Sequence, residues 1–361
     1  MNTQFEGLGI DYGLIFSSNA GSKLNFTKDG TSIKFLTKES GTYKRLFYDF
    51  KSKKLYYTGH HELLTPVSDC ILRISYNRFF GDTIEDGKMD KQVQNPKFVP
   101  KGKRLRTGLF EFPDMQVQNF WDETIKVSTN YYKDFEGNTI TDKEFLKAIE
   151  RYKAIEPRGI TKYKNKIVVS LPKIHEIRDI KKNLLTKTSD SADELEAINE
   201  SLYYLTKWES HSEKGLRKAL PVNEIIHNGW ETGLCGLTSL EETLYFGGTS
   251  RQLRFCDSDK LFSLAYGSIL KKIHETKDFQ TFYEGLHAVK TKQGPIFYCG
   301  IYGQGILVID LNSNKTYSIL DKKEKISNAK ALDDVPNSID SIVSVPMEEM
   351  KRLESLVQKD F

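Results

Sequence analysis

The sequence predicts an all-β fold made by repeating a four-stranded antiparallel unit. Three observations predict it. Short apolar segments recur ahead of a polar turn and a second apolar segment that ends in a small residue. Aromatic residues make up 12% of the 361-residue chain, with 18 Tyr and 21 Phe, and such side chains suit half-buried pleated surfaces. Hydrophobic residues are 38% and charged residues 28%, the balance of a folded chain long enough to bury a large core.

The N-terminal region offers strands at 14–18, 23–27 and 32–36. A repeat unit follows at 46–50 (Leu-Phe-Tyr-Asp-Phe), turns at 51–54 and enters 55–59 (Leu-Tyr-Tyr-Thr-Gly). A weaker copy runs through 115–120 and 125–128, with Trp121 and Asp122 in its turn. The next opens at 159–163 (Gly-Ile-Thr-Lys-Tyr) and enters 167–170. The clearest copies open at 236–240 (Gly-Leu-Thr-Ser-Leu) and 285–289 (Gly-Leu-His-Ala-Val), and their second strands are 244–248 and 296–300. Third strands are expected at 252–255 and 305–310, and fourth strands at 261–264 and 316–319. Apolar runs of this length, bounded by polar turns, read as a meander.

Two insertions interrupt the repeat, at about 79–104 and 185–230. Within the second, 190–206 reads as a helix. Ser191 stands as a cap with Glu194 three residues on, and Leu195, Ile198, Leu202 and Leu205 form one stripe. Another helix is expected at 142–152, with Phe145, Leu146, Ile149 and Tyr152 on one face. At the C-terminus an opening strand at 338–345 has nothing after it but a helix, 347–358.

Setting that last strand beside the three N-terminal ones completes a sheet from both ends of the chain. This arrangement resembles the ring closure of the β-propeller superfamily. The resemblance implies one domain over 1–361, with about six four-stranded blades, helical insertions and a C-terminal helix. The Trp-Asp and Gly-His signatures of WD repeats are missing. Two β-sandwich domains divided near residue 150 are the competing arrangement.

Chemistry is less marked. The four cysteines (Cys70, Cys235, Cys256, Cys299) include no C-x-x-C pair and suit a reduced cytoplasmic setting. No metal site or cofactor motif is expected: Gly300, Gly303 and Gly305 join two strands instead of opening a helix. His60, His61 and Glu62 are expected in a solvated loop, without further ligands for zinc. No apolar run reaches membrane-spanning length, and the first 16 residues lack the pattern of a secretory signal. The net charge of +4 does not by itself point to nucleic acid.

The propeller resemblance implies that the polar residues opening each inner strand lie near one mouth of the axial channel. These are Tyr48, Gln116, Thr161, Thr238, His287 and Asp340. His287 is the best single candidate for proton transfer; an enzyme here would use His287 and Asp340 as acid and base, with Thr161 and Thr238 positioning a polar substrate. The structural alternative is that such groups hydrogen-bond neighbouring blades. Lys101, Lys103, Arg104 and Arg106 form a basic loop that would suit phosphate or nucleic acid. Trp230, in a loop at 226–233, would anchor a partner or a sugar, or cover the helix expected in the insertion. The sequence thus points to a non-enzymatic scaffold that recognises a macromolecule, foremost a protein, through its top face and insertions. A hydrolase or lyase at the axial mouth and a nucleic-acid-associated protein remain as alternatives.

Overall fold

The computed structural model describes residues 11–17, 24–30, 32–36, 41–65, 102–112, 116–118, 157–206, 215–228, 232–252, 255–265, 270–276, 283–291, 294–301, 305–320 and 339–359. The chain begins with β1 (Tyr12–Ser17), β2 (Asn25–Thr27) and β3 (Lys34–Phe35). Four consecutive strands then make each following sheet. The first is β4 (Gly41–Asp49), β5 (Lys54–Thr65), β6 (Gly102–Phe112) and β7 (Gln116–Gln118). Next come β8 (Ile160–Tyr163), β9 (Lys166–Leu171), β10 (Glu176–Asp179) and β11 (Leu184–Lys187), then β12 (Glu194–Ile198), β13 (Ser201–Thr206), β14 (Gly215–Leu220) and β15 (Glu224–Asn228). They are followed by β16 (Thr232–Leu240), β17 (Thr243–Gln252), β18 (Phe255–Ala265) and β19 (Lys271–Thr276). The last of this kind holds β20 (Tyr283–Thr291), β21 (Gly294–Ile301), β22 (Gly305–Asp310) and β23 (Lys315–Ile319); β24 (Ser341–Pro346) and helix α1 (Met347–Lys359) end the chain.

Against the expectation of about six blades, the chain makes five blades of four consecutive strands. A further four-stranded sheet, ordered β24-β1-β2-β3, is shared between its two ends. In that sheet β24 pairs antiparallel with β1 from Tyr12↔Pro346 to Ser17↔Ser341, the closure the sequence suggested. The inner strands β4, β8, β12, β16, β20 and β24 neighbour one another in that order, and β24 returns to β4. The architecture is a β-propeller with a C-terminal helix.

The core lies between sheets. Each sheet is apolar on both faces, so every neighbouring pair encloses its own cluster. The shared sheet meets β4 and β5 through Ile15, Phe26, Leu46, Tyr57 and Val343, with Met350 and Leu353 of α1 covering the seam. Across its other face Leu14, Phe16 and Ile342 pack on Tyr298 and Val308. Phe47 and Tyr56 pack on Ile167 and Val169, and Leu205 and Leu216 on Leu237 and Phe246. Helix α1 is held to the rim by Glu349 to Lys53 at 2.9 Å, and by Glu354 to Lys34 at 3.1 Å and to Lys28.

The glycines that open the repeats have a steric reason. A Cβ on Gly159 would lie 2.8 Å from the Leu195 backbone nitrogen, and one on Gly285 would lie 2.9 Å from the Ile339 carbonyl. Neighbouring strands approach closely there, and a side chain would push them apart.

Several expectations are corrected. The segment read as a helix at 190–206 is β12 and β13, so 185–230 is largely a blade and not a helical insertion. The stripe residues do not share a face: Leu195 and Leu202 pack with Val168 and Tyr204 in one cluster, and Ile198 and Leu205 in the next. The unit opening at Met115 is not an inner strand, because β7 is the outermost strand of its sheet. Residues 252 and 261–264 fall within β17 and β18, and Lys271–Thr276 supplies the fourth strand instead. His60, His61 and Glu62 continue β5 and are not in a loop. The helix expected at 142–152 and the insertion up to residue 101 lie outside the described residues.

Candidate functional site in the axial channel

All the inner strands contribute to one cavity of about 450 Å³ on the ring axis. Its wall includes Arg45 of β4, Lys162 of β8, Glu196 of β12, Thr238 of β16, His287 of β20 and Ser344 of β24. Tyr48 and Asp340 line it too. Four of the residues singled out from the sequence (Tyr48, Thr238, His287 and Asp340) therefore meet here.

The polar groups of this wall bond from strand to strand around the ring. Lys162 Nζ donates to Asp49 Oδ1 at 2.8 Å, joining β8 to β4. Thr161 Oγ1 reaches Glu196 Oε1 at 3.4 Å, joining β8 to β12. Glu194 accepts the backbone N–H groups of Gly236 at 3.1 Å and Leu237 at 2.7 Å, and Ser239 Oγ donates to Glu196 at 2.9 Å. Ala288 N–H donates to Thr238 Oγ1 at 3.3 Å, from β20 to β16. Ser344 N–H donates to His287 Nε2 at 3.0 Å, and Leu46 N–H to Ser341 Oγ at 3.0 Å. Every junction between inner strands carries such a bond. This is the structural alternative raised for Thr161, Thr238 and His287.

Electrostatics follow from that wiring. Arg45 Nη2 lies 2.6 Å from Glu194 Oε1, and both side chains are largely buried. Two further pairs hold the same acidic segment: Arg158 to Asp193 at 2.6 Å and Arg217 to Asp190 at 2.9 Å. Burial opposes ionisation of Asp49, yet hydrogen bonds from Lys162 and Ser52 keep its carboxyl below the ordinary value. Burial pushes the Glu196 carboxyl up to about 7 despite hydrogen bonds from Ser239 and Thr161. Burial also drives His287 down to about 4. Because Nε2 accepts the Ser344 N–H, the proton of the neutral ring sits on Nδ1.

The remaining candidates lie elsewhere. Gln116 is on β7, at the outer edge of its sheet. Lys103, Arg104 and Arg106 belong to strand β6, paired to Leu64, Leu63 and His61, so the cluster is not a loop. Lys101 and Trp230 lie outside the described residues. Among the described residues no group of three or more His, Cys, Asp or Glu side chains is placed to hold a metal ion. No helix among them is long and apolar enough to cross a membrane. Sequence reasoning missed Arg45, Lys162, Glu194 and Glu196. The one available signal is the density of acids at 190–196.

No protein-family model matches the chain, and no curated protein matches it in sequence. Solved structures resemble it in form. A chain from a crystal structure of a nidogen/laminin complex is 11% identical, with 93% of this chain and 98% of that chain covered and a TM-score of 0.48. Drosophila Semaphorin 2a is 7% identical over 85% of this chain and 70% of that one, with a TM-score of 0.33. An alpha-L-arabinofuranosidase from Lactobacillus brevis is 12% identical over 92% and 86%, with a TM-score of 0.29. At these identities and TM-scores the likenesses carry no argument about substrate, partner or activity.

Proposed function

We propose that the chain is a non-enzymatic propeller scaffold that recognises a protein partner on its exposed surface. The observation that carries this reading is the use of the inner-strand polar groups. Thr161, Thr238 and His287 are engaged in bonds between sheets, and a general acid or base needs a free, exchangeable site. With Nε2 occupied by the Ser344 N–H, His287 has lost one of the two nitrogens a proton relay would use. Apolar side chains stand out on the outer side of two neighbouring sheets: Leu184 is 48% exposed, Val222 65% and Ile225 58%. Exposed apolar side chains of this size are where a protein partner would find apolar contact.

The test compares two baits, the wild type and a Leu184→Asp/Val222→Asp/Ile225→Asp variant, against native lysate by quantitative mass spectrometry. Each captured protein is then made recombinantly and titrated against both. A purified protein that binds the wild type and not the folded variant supports the scaffold. Turnover in a hydrolase and lyase panel that disappears in folded His287→Gln would refute it.

A further inference from the structure

Beyond the scaffold reading, we propose that the axial cavity binds a primary alkylammonium group through the Glu196 carboxylate. Its volume of about 450 Å³ falls within the range of small-molecule sites. Two of the cations on its wall are already paired. Arg45 is matched by Glu194 at 2.6 Å and Lys162 by Asp49 at 2.8 Å, while Lys51 stands exposed at the rim. Glu196 is matched by no cation among the described residues. Its Oε1 takes hydrogen bonds from Ser239 at 2.9 Å, from Thr161 at 3.4 Å and from the Ala197 N–H at 3.4 Å. Its Oε2 has no hydrogen-bond partner among the described residues. His287, neutral with Nε2 already accepting, adds no compensating charge.

That arrangement selects for one chemistry. An anion would face the Glu196 carboxylate, and the nearby Arg45 and Lys162 charges are already countered by Glu194 and Asp49. A neutral polyol would supply no counter-charge, and the Glu196 carboxyl would avoid the cost of ionising at low dielectric by keeping its proton. An ammonium supplies both the charge and three donors. Ile160, Leu237, Leu286 and Ile342 give apolar wall for the attached alkyl chain. Burial holds the empty carboxyl near neutrality in its titration, so an arriving ammonium fixes it as the anion and expels a proton.

The chemistry could come from a free amine or from a lysine side chain of another protein. The experiment is isothermal titration calorimetry on the full chain with 1,4-diaminobutane, Nα-acetyl-lysine methylamide and 1-butanol, at pH 8 and pH 6. The expected result is saturable binding of at least one amine and none of the alcohol. Affinity should be about tenfold weaker at pH 6, where the carboxyl is mostly protonated. Glu196→Gln should weaken binding about ten- to a hundredfold and abolish the pH step. The other titratable groups on the wall are Arg45, Tyr48, Asp49, Lys51, Lys162, Glu194, His287 and Asp340. A pH step that persists in Glu196→Gln belongs to one of them and overturns the assignment. Diamine binding alone identifies a free amine, and binding of the lysine amide identifies a side chain. Absence of binding by both amines at pH 8, or equal binding by butanol, overturns the proposal. If Glu196→Gln does not fold, the Glu196 carboxyl is titrated by NMR in the wild type with and without 1,4-diaminobutane. A downward shift of its pKa supports the proposal and an unchanged one overturns it.

Discussion

Replacing Glu194 with Ala should be among the most damaging single changes on the channel wall. Glu194 is 4% exposed and serves three donors: Arg45 Nη2 at 2.6 Å and the Gly236 and Leu237 N–H groups at 3.1 and 2.7 Å. Truncation leaves a buried guanidinium without its partner and two backbone donors without acceptors. Removing one member of a buried ion pair costs about 3–5 kcal/mol, and the stranded amides push the value towards the upper end. Unfolding entropy of about 2.1 cal/mol/K per residue over 361 residues gives roughly 0.8 kcal/mol per kelvin. The melting temperature should therefore fall by about 4–6 °C. Glu194→Gln keeps an acceptor and should lose about half as much. The double change Arg45→Met/Glu194→Met should lose less than Glu194→Ala alone, because no charge is left stranded. Urea melts followed by circular dichroism measure all three, and hydrogen exchange at the Leu237 amide gives a local reading. A Glu194→Ala protein within about 0.5 kcal/mol of wild type, the range of ordinary surface changes, would refute the reasoning.

Two other predictions concern pH and salt. Burial holds the folded His287 at about 4, below its unfolded value; its stabilisation is therefore complete above the unfolded pKa and is lost as pH falls towards 4. Urea melts should show stability dropping by up to about 3 kcal/mol over that window. His287→Gln should flatten that slope, and parallel curves for the two proteins would contradict the assignment. For the basic cluster, changing Lys101, Lys103, Arg104 and Arg106 to Gln should leave folding intact. If four phosphate contacts exist, a log–log salt slope of roughly −3 to −4 should disappear with them. The expected outcome is weak, non-specific binding in both proteins, and tight binding lost in the variant would restore the nucleic-acid reading.

The parts of the fold written in local sequence were legible. Gly159 and Gly285 mark close approaches of inner strands, and the strand–turn–strand units at 46–59, 159–170, 236–248 and 285–300 are all hairpins led by inner strands. The closure of 338–345 onto β1 could be inferred because a strand without a following partner must find one elsewhere. The segment at 190–206 misled for a physical reason. Leucines spaced three and four apart fit a helix, but they also fit two strands whose opposite faces are both buried. The acids among them, which on a helix would face solvent, are paired with Arg45, Arg158 and Arg217. Arg45 is 149 residues from Glu194, and no local pattern announces so distant a partner. For the same reason the sequence could nominate polar residues at the channel mouth, but not show that Thr161, Thr238 and His287 are spent on bonds to neighbouring strands.

The account rests on a ring closed by the two ends of the chain and held by bonds between inner strands. Hydrogen-exchange mass spectrometry on a protein lacking residues 338–361 tests that most directly. The deletion removes β24, which is buried along nearly its whole length, together with the Ser341 and Ser344 bonds to Leu46 and His287. The account predicts loss of protection in β4 and β20 on both sides of the gap, followed by one cooperative unfolding of the remaining sheets. Two separate transitions, with β4 or β20 protected as in the intact chain, would contradict it.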